Sequence, residues 1–426
     1  MSIKKIDIPY HTGTLPLYVD EKNLKAVITP MEPKPFGKNE EDIVLEALAN
    51  PVGTPRLRDM ASGKKKILII TSDHTRAMPS KVTLPLLLKE IRSGAPDADI
   101  AVVLATGLHR ATTKEEQYVM FGAEIVDNET IHVHDCTKDE DMRDICTLPS
   151  GARLFVNRLA VECDLLVAEG FIEPHFFAGF SGGRKSVLPG IASYKTVNTN
   201  HSYKALAGPY SVAGVLENNP VHVDAVAGSR AVNLAFILNV AMDANRKIIA
   251  AFSGDMEKAH LQGCEFVSSF SRLPAVEGDI VVTSNGGYPL DQNLYQAPKG
   301  VSTAALCAGE DGVIIMLGAF VDGFGGENFQ ELILSGTIDE IDEKLSKIPP
   351  QETISEQWSA QIFSKIMKKH TIIAVTTNID PEVIRKANFT YAATLDDALE
   401  IAYAIKGRDA KVVVIPDGVA VMIDKS

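Results

Sequence analysis

Apolar, strand-like runs alternate with amphipathic stretches over most of the chain. Lys65–Thr71 (KKILIIT), Ile100–Thr106 (IAVVLAT), Cys163–Gly170 and Leu234–Met242 form one set, and Asp279–Asn285, Gly312–Ala319, Thr371–Thr377 and Lys411–Gly418 form a second. Each is a short block rich in Val, Ile, Leu and Ala, the composition of a strand buried on both faces. Between them lie helical patterns over Lys81–Ser93, Met256–Ser271, Glu356–His370 and Leu395–Lys406. This alternation predicts βαβ units, and therefore an α/β protein with mostly parallel, Rossmann-like sheets. Two short extended segments, around Lys4–Tyr10 and Thr14–Val19, precede the first unit.

A chain of 426 residues outgrows a single core, so two domains are expected. The break falls near Arg272–Gly278, where a helical pattern runs into Leu273-Pro274 before a fresh strand begins. The expected domains are residues 1–272 and 273–426, packed with a cleft between them, the usual place for a small-molecule site.

Composition narrows the class. Apolar residues make up 45% and charged residues 23%, the balance of a globular chain, and a net charge of −13 disfavours nucleic acid and anionic membrane as partners. Lys64–Lys66 reads as a solvated strand entry. Five cysteines without a C-x-x-C pair argue against a disulfide framework and for a reducing compartment. The N-terminal MSIKKIDIPY has no apolar targeting core, and no run approaches membrane-spanning length, so a cytoplasmic location is expected.

The candidate chemistry follows the strand ends, where open α/β sheets bind ligands. Ser72-Asp73-His74-Thr75-Arg76 follows the first run and Ala105-Thr106-Gly107-Leu108-His109-Arg110 the second. A third cluster runs from Glu173-Pro174-His175 through GFSGGRKS (Gly179–Ser186) to Pro189-Gly190, and a fourth is Asn200-His201-Ser202. Singly, such residues serve as turn or capping groups; Asp73 and Thr75, for example, suit the cap of a helix starting near Pro79. GFSGGRKS has the glycines and lysine of a phosphate loop, but Arg184 stands where that motif needs glycine before its lysine, which disfavours a nucleotide hydrolase. Gly182 and Gly183 leave room for a ligand to approach the backbone. His132 and His134, alternate residues on one strand, read as surface positions.

Taken in order, SDHTR, ATGLHR, FIEPHFFAGFSGGRKSVLPGIASYKT, NHS, NGGYPLDQNLYQAPKG and QWSAQIF resemble the nickel-dependent lactate racemase family, over Asp73 to Phe363. The resemblance implies a nickel pyridinium-3,5-bisthiocarboxylic acid mononucleotide, covalently held on Lys185, with His201 as the protein's nickel (Ni) ligand. It places cofactor contacts at Asp73, His74, Thr75 and Arg76. It also implies that residues 1–272 bind cofactor and carry catalysis, while 273–426 close the substrate site. One imidazole suffices for such a metal because the cofactor brings its own donors, in keeping with a sequence that has no H-E-x-x-H.

The implied reaction interconverts D- and L-lactate. A base takes the hydroxyl proton, the Cα hydrogen leaves as hydride to the cofactor, and pyruvate accepts it back on the opposite face. His109 and His175 match the two bases, whose ordinary pKa suits proton exchange near neutrality. Arg76 and Lys299 would hold the carboxylate, Gln296 would add a hydrogen bond, and Tyr295 and Trp358 would wall the pocket. The implied partners are a small 2-hydroxy acid and the enzymes that mature the cofactor. Ala77 departs from the family's proline after the DHTR arginine, which predicts a looser loop. Two alternatives stay open: a racemase or epimerase of another 2-hydroxy acid, and a non-catalytic protein that binds the nickel nucleotide, which would have no use for His109, His175, Arg76 and Lys299 together.

Overall fold

The computed structural model describes residues 2–31, 37–243 and 245–424. Two six-stranded sheets organise them. In the first, the order is Ile248–Gly254, Leu234–Met242, Leu165–Phe171, Lys66–Ser72, Asp99–Ala105, Thr130–Val133, all parallel except the Ile248–Gly254 edge. In the second, Thr390–Ala392, Thr371–Val375, Ala308–Leu317, Gly278–Ser284, Val412–Ile415 and Leu24–Val27 are all parallel. The mostly parallel α/β architecture expected from the alternating runs is the one observed.

The continuous apolar runs arise because both faces of each sheet are covered. Ile67 and Ile69 pack with Leu84, Leu87 and Ile91 of the Ser80–Gly94 helix, whereas Leu68 and Ile70 pack on the opposite side with Val187, Ile191 and Val197. Alternate residues of a strand point to opposite faces, so both must be apolar. Each fully buried Ile or Leu is worth about 1.5–3 kcal/mol of transfer free energy.

The N-terminal segment of the described chain packs with the second sheet. Ile3–Tyr10 and Gly13–Asp20 form an antiparallel hairpin whose inward residues Ile6, Ile8, Leu17 and Val19 join the core of the second sheet with Ile280, Val282 and Ile315. Leu24–Val27 then becomes an edge strand of that sheet. The alternating pattern of the hairpin gives it one apolar face. The second sheet supplies the complementary surface beside the Leu395–Lys406 helix.

His134 also departs from the surface reading. It lies just past the Thr130–Val133 strand and is buried, with Nε2 3.1 Å from the Ala192 carbonyl and the Asn157 amide 3.3 Å from Nδ1. His132 is exposed as expected. Among the described residues no helix is long and apolar enough to cross a membrane.

Strand order reverses once in each sheet. The chain winds outward from Lys66–Ser72 in one direction and returns on its other side at Leu165–Phe171; it likewise winds outward from Gly278–Ser284 and returns at Val412–Ile415. Such reversal points open a crevice at the strands' carboxyl ends. The loops that follow all four strands carry the residues of the candidate site.

Candidate active site

Past the end of Lys66–Ser72, Asp73 is buried and accepts three hydrogen bonds. They come from His109 Nδ1 at 2.7 Å, Thr75 Oγ1 at 2.7 Å and the Thr75 amide at 3.1 Å. Burial by itself would raise the Asp73 carboxyl, but the bond to His109 and the nearby His109 and Arg76 charges outweigh it and hold the group at about 2. Asp73 therefore serves His109, and it caps no helix: the Ser80–Gly94 helix begins at Pro79 without a side-chain cap. His74 turns to a separate cluster, with Nδ1 3.0 Å from Thr112 Oγ1 and 3.8 Å from Glu116.

Both ends of this loop are tied to one carboxyl group. Glu169, fully buried in Leu165–Phe171, accepts from Thr71 Oγ1 at 2.5 Å, Ser80 Oγ at 2.6 Å and Thr83 Oγ1 at 2.7 Å. Burial pushes its pKa up, against the three hydroxyls. The opposite wall of the dyad is also fixed, since Gly107 takes a positive φ and Thr106 Oγ1 donates to the His134 carbonyl at 2.7 Å. The buried His134 thus anchors the turn that delivers His109.

The glycine-rich loop is built around Arg184, whose guanidinium is fully buried. It donates to the carbonyls of Ala178 at 2.7 Å and Gly182 at 3.2 Å and lies 3.0 Å from His260 Nε2. The expectation that Gly182 and Gly183 leave space for a ligand is overturned. Both have positive φ, and a Cβ there would lie 2.7 Å from Asn239 Oδ1 and 2.7 Å from the His260 ring, respectively. The Gly183 amide is donated to Asn239 at 2.7 Å, so protein occupies the space that a phosphate would need. What the loop presents to the cleft is chemistry at its two ends, His175 and Lys185.

The His175 ring stacks on Phe176 at 5.1 Å and meets Phe177 edge-on at 4.7 Å, and its Nδ1 accepts the Ala178 amide at 3.3 Å. Burial, and after it the charges of Lys185, Lys299 and Arg76, keep its pKa well below the ordinary histidine value. The Lys185 amine is lowered in the same way, by burial first and then by Arg184, Arg76 and Lys299.

His201 caps the Tyr194–Asn200 helix at its C-terminus. Its neighbour Asn200 donates to Asp224 at 3.2 Å, and its ring is held edge-on between Phe177 at 4.9 Å and Trp358 of the second sheet's helical layer at 5.1 Å. Burial lowers its pKa to about 3. His201 Nδ1 is buried without a hydrogen-bond partner, which leaves a ring nitrogen free for a metal. Among the described residues no group of three or more His, Cys, Asp or Glu side chains could hold a metal ion. A single imidazole such as His201 could hold only a metal whose other ligands come from elsewhere.

The second sheet contributes the facing wall. Asn285, just past Gly278–Ser284, donates to the carbonyls of Leu290 at 3.1 Å and Gln296 at 2.7 Å and accepts the Gly300 amide at 3.0 Å. It thereby fixes Tyr295, Gln296 and Lys299 around the start of the Pro298–Cys307 helix. Trp358 Nε1 donates to the Tyr295 hydroxyl at 2.8 Å. Burial, aided by Arg76 and opposed by Glu173, lowers Lys299 to about 7. Asp417, past the end of Val412–Ile415, caps Val419 and Ala420 at 2.9 and 3.2 Å.

The fold thus brings His175, Lys185, Lys299 and Arg76 close enough to perturb one another, sets the Asp73–His109 pair beside Arg76, and links His201 to Tyr295 through Trp358. His74 is drawn aside, and among the described residues the Gln296 side chain has no hydrogen-bond partner that would define its part. Sequence reasoning overlooked Glu169, Arg184 as the loop's core, Asn285 and Asp417–Val421. Glu169 left one signal, a carboxyl group inside an apolar strand run.

A cleft between two doubly wound sheets, with Arg76, two lysines and three imidazoles converging on it, is the kind of site an α/β enzyme carries. Residues 10–214 match the lactate racemase N-terminal domain family and residues 273–423 the lactate racemase C-terminal domain family. Lactate racemase of Thermoanaerobacterium thermosaccharolyticum is 48% identical over 420 residues, covering 98% of this chain and 99% of the relative. Lactate racemase of Lactiplantibacillus plantarum is 46% identical over 422 residues, with the same coverage. The structure of the lactate racemase apoprotein from T. thermosaccharolyticum superposes with a TM-score of 0.96 over 99% of this chain and 100% of that one, at 48% identity. A Thermotoga maritima protein, 20% identical, shares the fold with a TM-score of 0.69 over 90% of this chain and 98% of its own. The chain belongs to the lactate racemase family and is an isomerase.

Proposed function

We propose that this chain interconverts D- and L-lactate, with a nickel pyridinium-3,5-bisthiocarboxylic acid mononucleotide joined to Lys185 and its metal bound by His201. When bound, that group supplies an acceptor that takes the C2 hydrogen with its electron pair and returns it, so pyruvate forms and is consumed without net oxidation. The observation that carries the reading is the convergence of His109, His175, Arg76 and Lys299 on one cleft beside Lys185.

Each residue's part follows from its partners. Asp73 accepts the His109 Nδ1 proton at 2.7 Å, which leaves Nε2 as the basic nitrogen for the hydroxyl proton. His175, stacked on Phe176 and edge-on to Phe177, would handle the hydroxyl proton of the other enantiomer: it takes that proton in one direction and, protonated, returns it in the other, so that one proton is carried by the His109–His175 pair. Arg76 and Lys299 attract the carboxylate. Tyr295 and Trp358, hydrogen-bonded to each other, close the pocket against water. The orphaned nitrogen of His201 supports its role as metal ligand, and a lysine lowered toward its neutral form supports attachment at Lys185.

Maturation enzymes would deliver the cofactor, and five free thiols suit a cytoplasmic setting. The test is racemisation of 2-deuterated D-lactate by loaded protein, with intact-mass analysis of the Lys185 peptide. L-lactate that retains deuterium, together with an adduct on Lys185, is the expected result. Loss of the label to solvent at every turnover refutes the hydride route, and full activity from unmodified protein refutes the attachment.

A further inference from the structure

A small cavity lies beside His175 and Lys299. It is bounded on one side by Glu173, Pro174, Phe176 and Ala213, and on the other by Thr303, Gly418, Val419 and Val421. Its volume is about 10 Å³, the room that one water-sized group needs.

The wall from the second sheet is rigid. Thr303 Oγ1 donates to the Gly418 carbonyl at 2.6 Å, and the Asp417 carboxylate accepts the amides of Val419 and Ala420. A Cβ on Gly418 would lie 2.7 Å from Gly300 Cα, so the Gly418–Val419 segment sits directly on the helix that carries Lys299. Val421 is fully buried behind it. A wall tied down in this way does not swell to admit a larger group.

The substrate's own geometry says what the cavity is for, on the racemase reading given above. With the carboxylate at Arg76 and Lys299, a trigonal C2 carries two further in-plane groups, the oxygen and the C3 substituent. When the oxygen is at His109, the substituent turns toward His175, and in the other enantiomer the two exchange. Every racemisation cycle therefore places the substituent beside His175 once. The space beside His175 has room for only one small group, its walls include Ala213, Val419 and Val421, and Glu173 lies alongside.

We propose that the wall of Ala213, Thr303, Val419 and Val421, with Glu173 alongside, is the specificity filter of this enzyme. It admits a methyl substituent and rejects longer or carboxylated ones. Because both enantiomers pass through the arrangement that uses this space, one wall screens both directions of the reaction. A bulkier 2-hydroxy acid is held in its starting orientation without reaching the other.

The test compares kcat/KM for lactate, 2-hydroxybutyrate and malate on loaded wild-type, Val419→Ala, Val419→Leu and Glu173→Gln proteins. An added methylene in a fitted pocket costs roughly 10- to 200-fold, so wild type should favour lactate over 2-hydroxybutyrate by about that factor. Val419→Ala should narrow the preference at least about tenfold, Val419→Leu should depress lactate turnover itself, and Glu173→Gln should raise malate relative to lactate. A 2-hydroxybutyrate-to-lactate ratio within about threefold of wild type in Val419→Ala, with lactate turnover retained, overturns the proposal. Calorimetric binding of the same acids keeps it separable from the racemase reading. If loaded wild type turns over none of them, that reading fails, and the filter stands or falls on whether Val419→Ala shifts the ratio of dissociation constants.

Discussion

Replacement of Asp73 by Asn is the most direct probe of the site, because stability and turnover then depend on the same hydrogen bonds. Asp73 is 1% exposed, and its pKa is displaced from 3.8 to about 2. At roughly 1.4 kcal/mol per pH unit, that displacement is worth about 2 kcal/mol of folding free energy. A depressed carboxyl pKa stabilises the fold above its unfolded value near 4, and the contribution is lost as pH falls through about 2. Asp73→Asn should therefore lose about 2 kcal/mol at neutral pH and show a correspondingly weaker loss of stability on acidification. The catalytic effect should be larger. Without the carboxylate, His109 no longer favours the tautomer with hydrogen on Nδ1, which leaves Nε2 without its lone pair for the hydroxyl proton, so kcat should fall by roughly 10²–10⁴-fold. The assay is chiral chromatography of lactate with loaded protein, with the Lys185 adduct checked by intact mass and stability followed by denaturation between pH 7 and 3. Loading equal to wild type with kcat within about threefold would refute the assignment of Asp73 and His109 as a working pair.

Three further outcomes are expected. Lys299, lowered to about 7 chiefly by burial, loses its charge as pH rises through neutrality; KM for lactate should climb above pH 7, by up to roughly tenfold per pH unit, and the slope should vanish in Lys299→Met. Stability responds in the opposite sense, because the unfolded chain binds the extra proton between about 7 and 10.5 and the fold gains from this group as pH rises across that window. Glu169→Ala strips three buried hydroxyls of their acceptor and should cost about 2–4 kcal/mol in chemical denaturation; an unchanged midpoint would show that the clamp contributes nothing. Gly183→Ala combines a positive φ with a Cβ 2.7 Å from the His260 ring, and should lower stability by about 2 kcal/mol or more, measured as a fall in Tm.

The sequence by itself determined the element types and the neighbourhood of the chemistry. Continuous blocks such as KILIITS and VVVI specify strands buried on both faces, and SDHTR, ATGLHR and the Glu173–Lys185 stretch follow strand ends wherever those strands lie. Both features are local, because a strand's two faces and its terminus are written within a few residues. Tertiary structure alone decided the partners. It sent the N-terminal hairpin and Leu24–Val27 to the second sheet, buried His134 beneath the His109 turn, and filled the space beside Gly182 and Gly183 with Asn239 and His260. It also brought Val419 and Lys299, far apart in the chain, to one cavity. Those outcomes depend on which apolar face finds a complementary surface and which backbone groups remain to be satisfied after the sheets assemble. Neither is encoded within any single stretch of the chain.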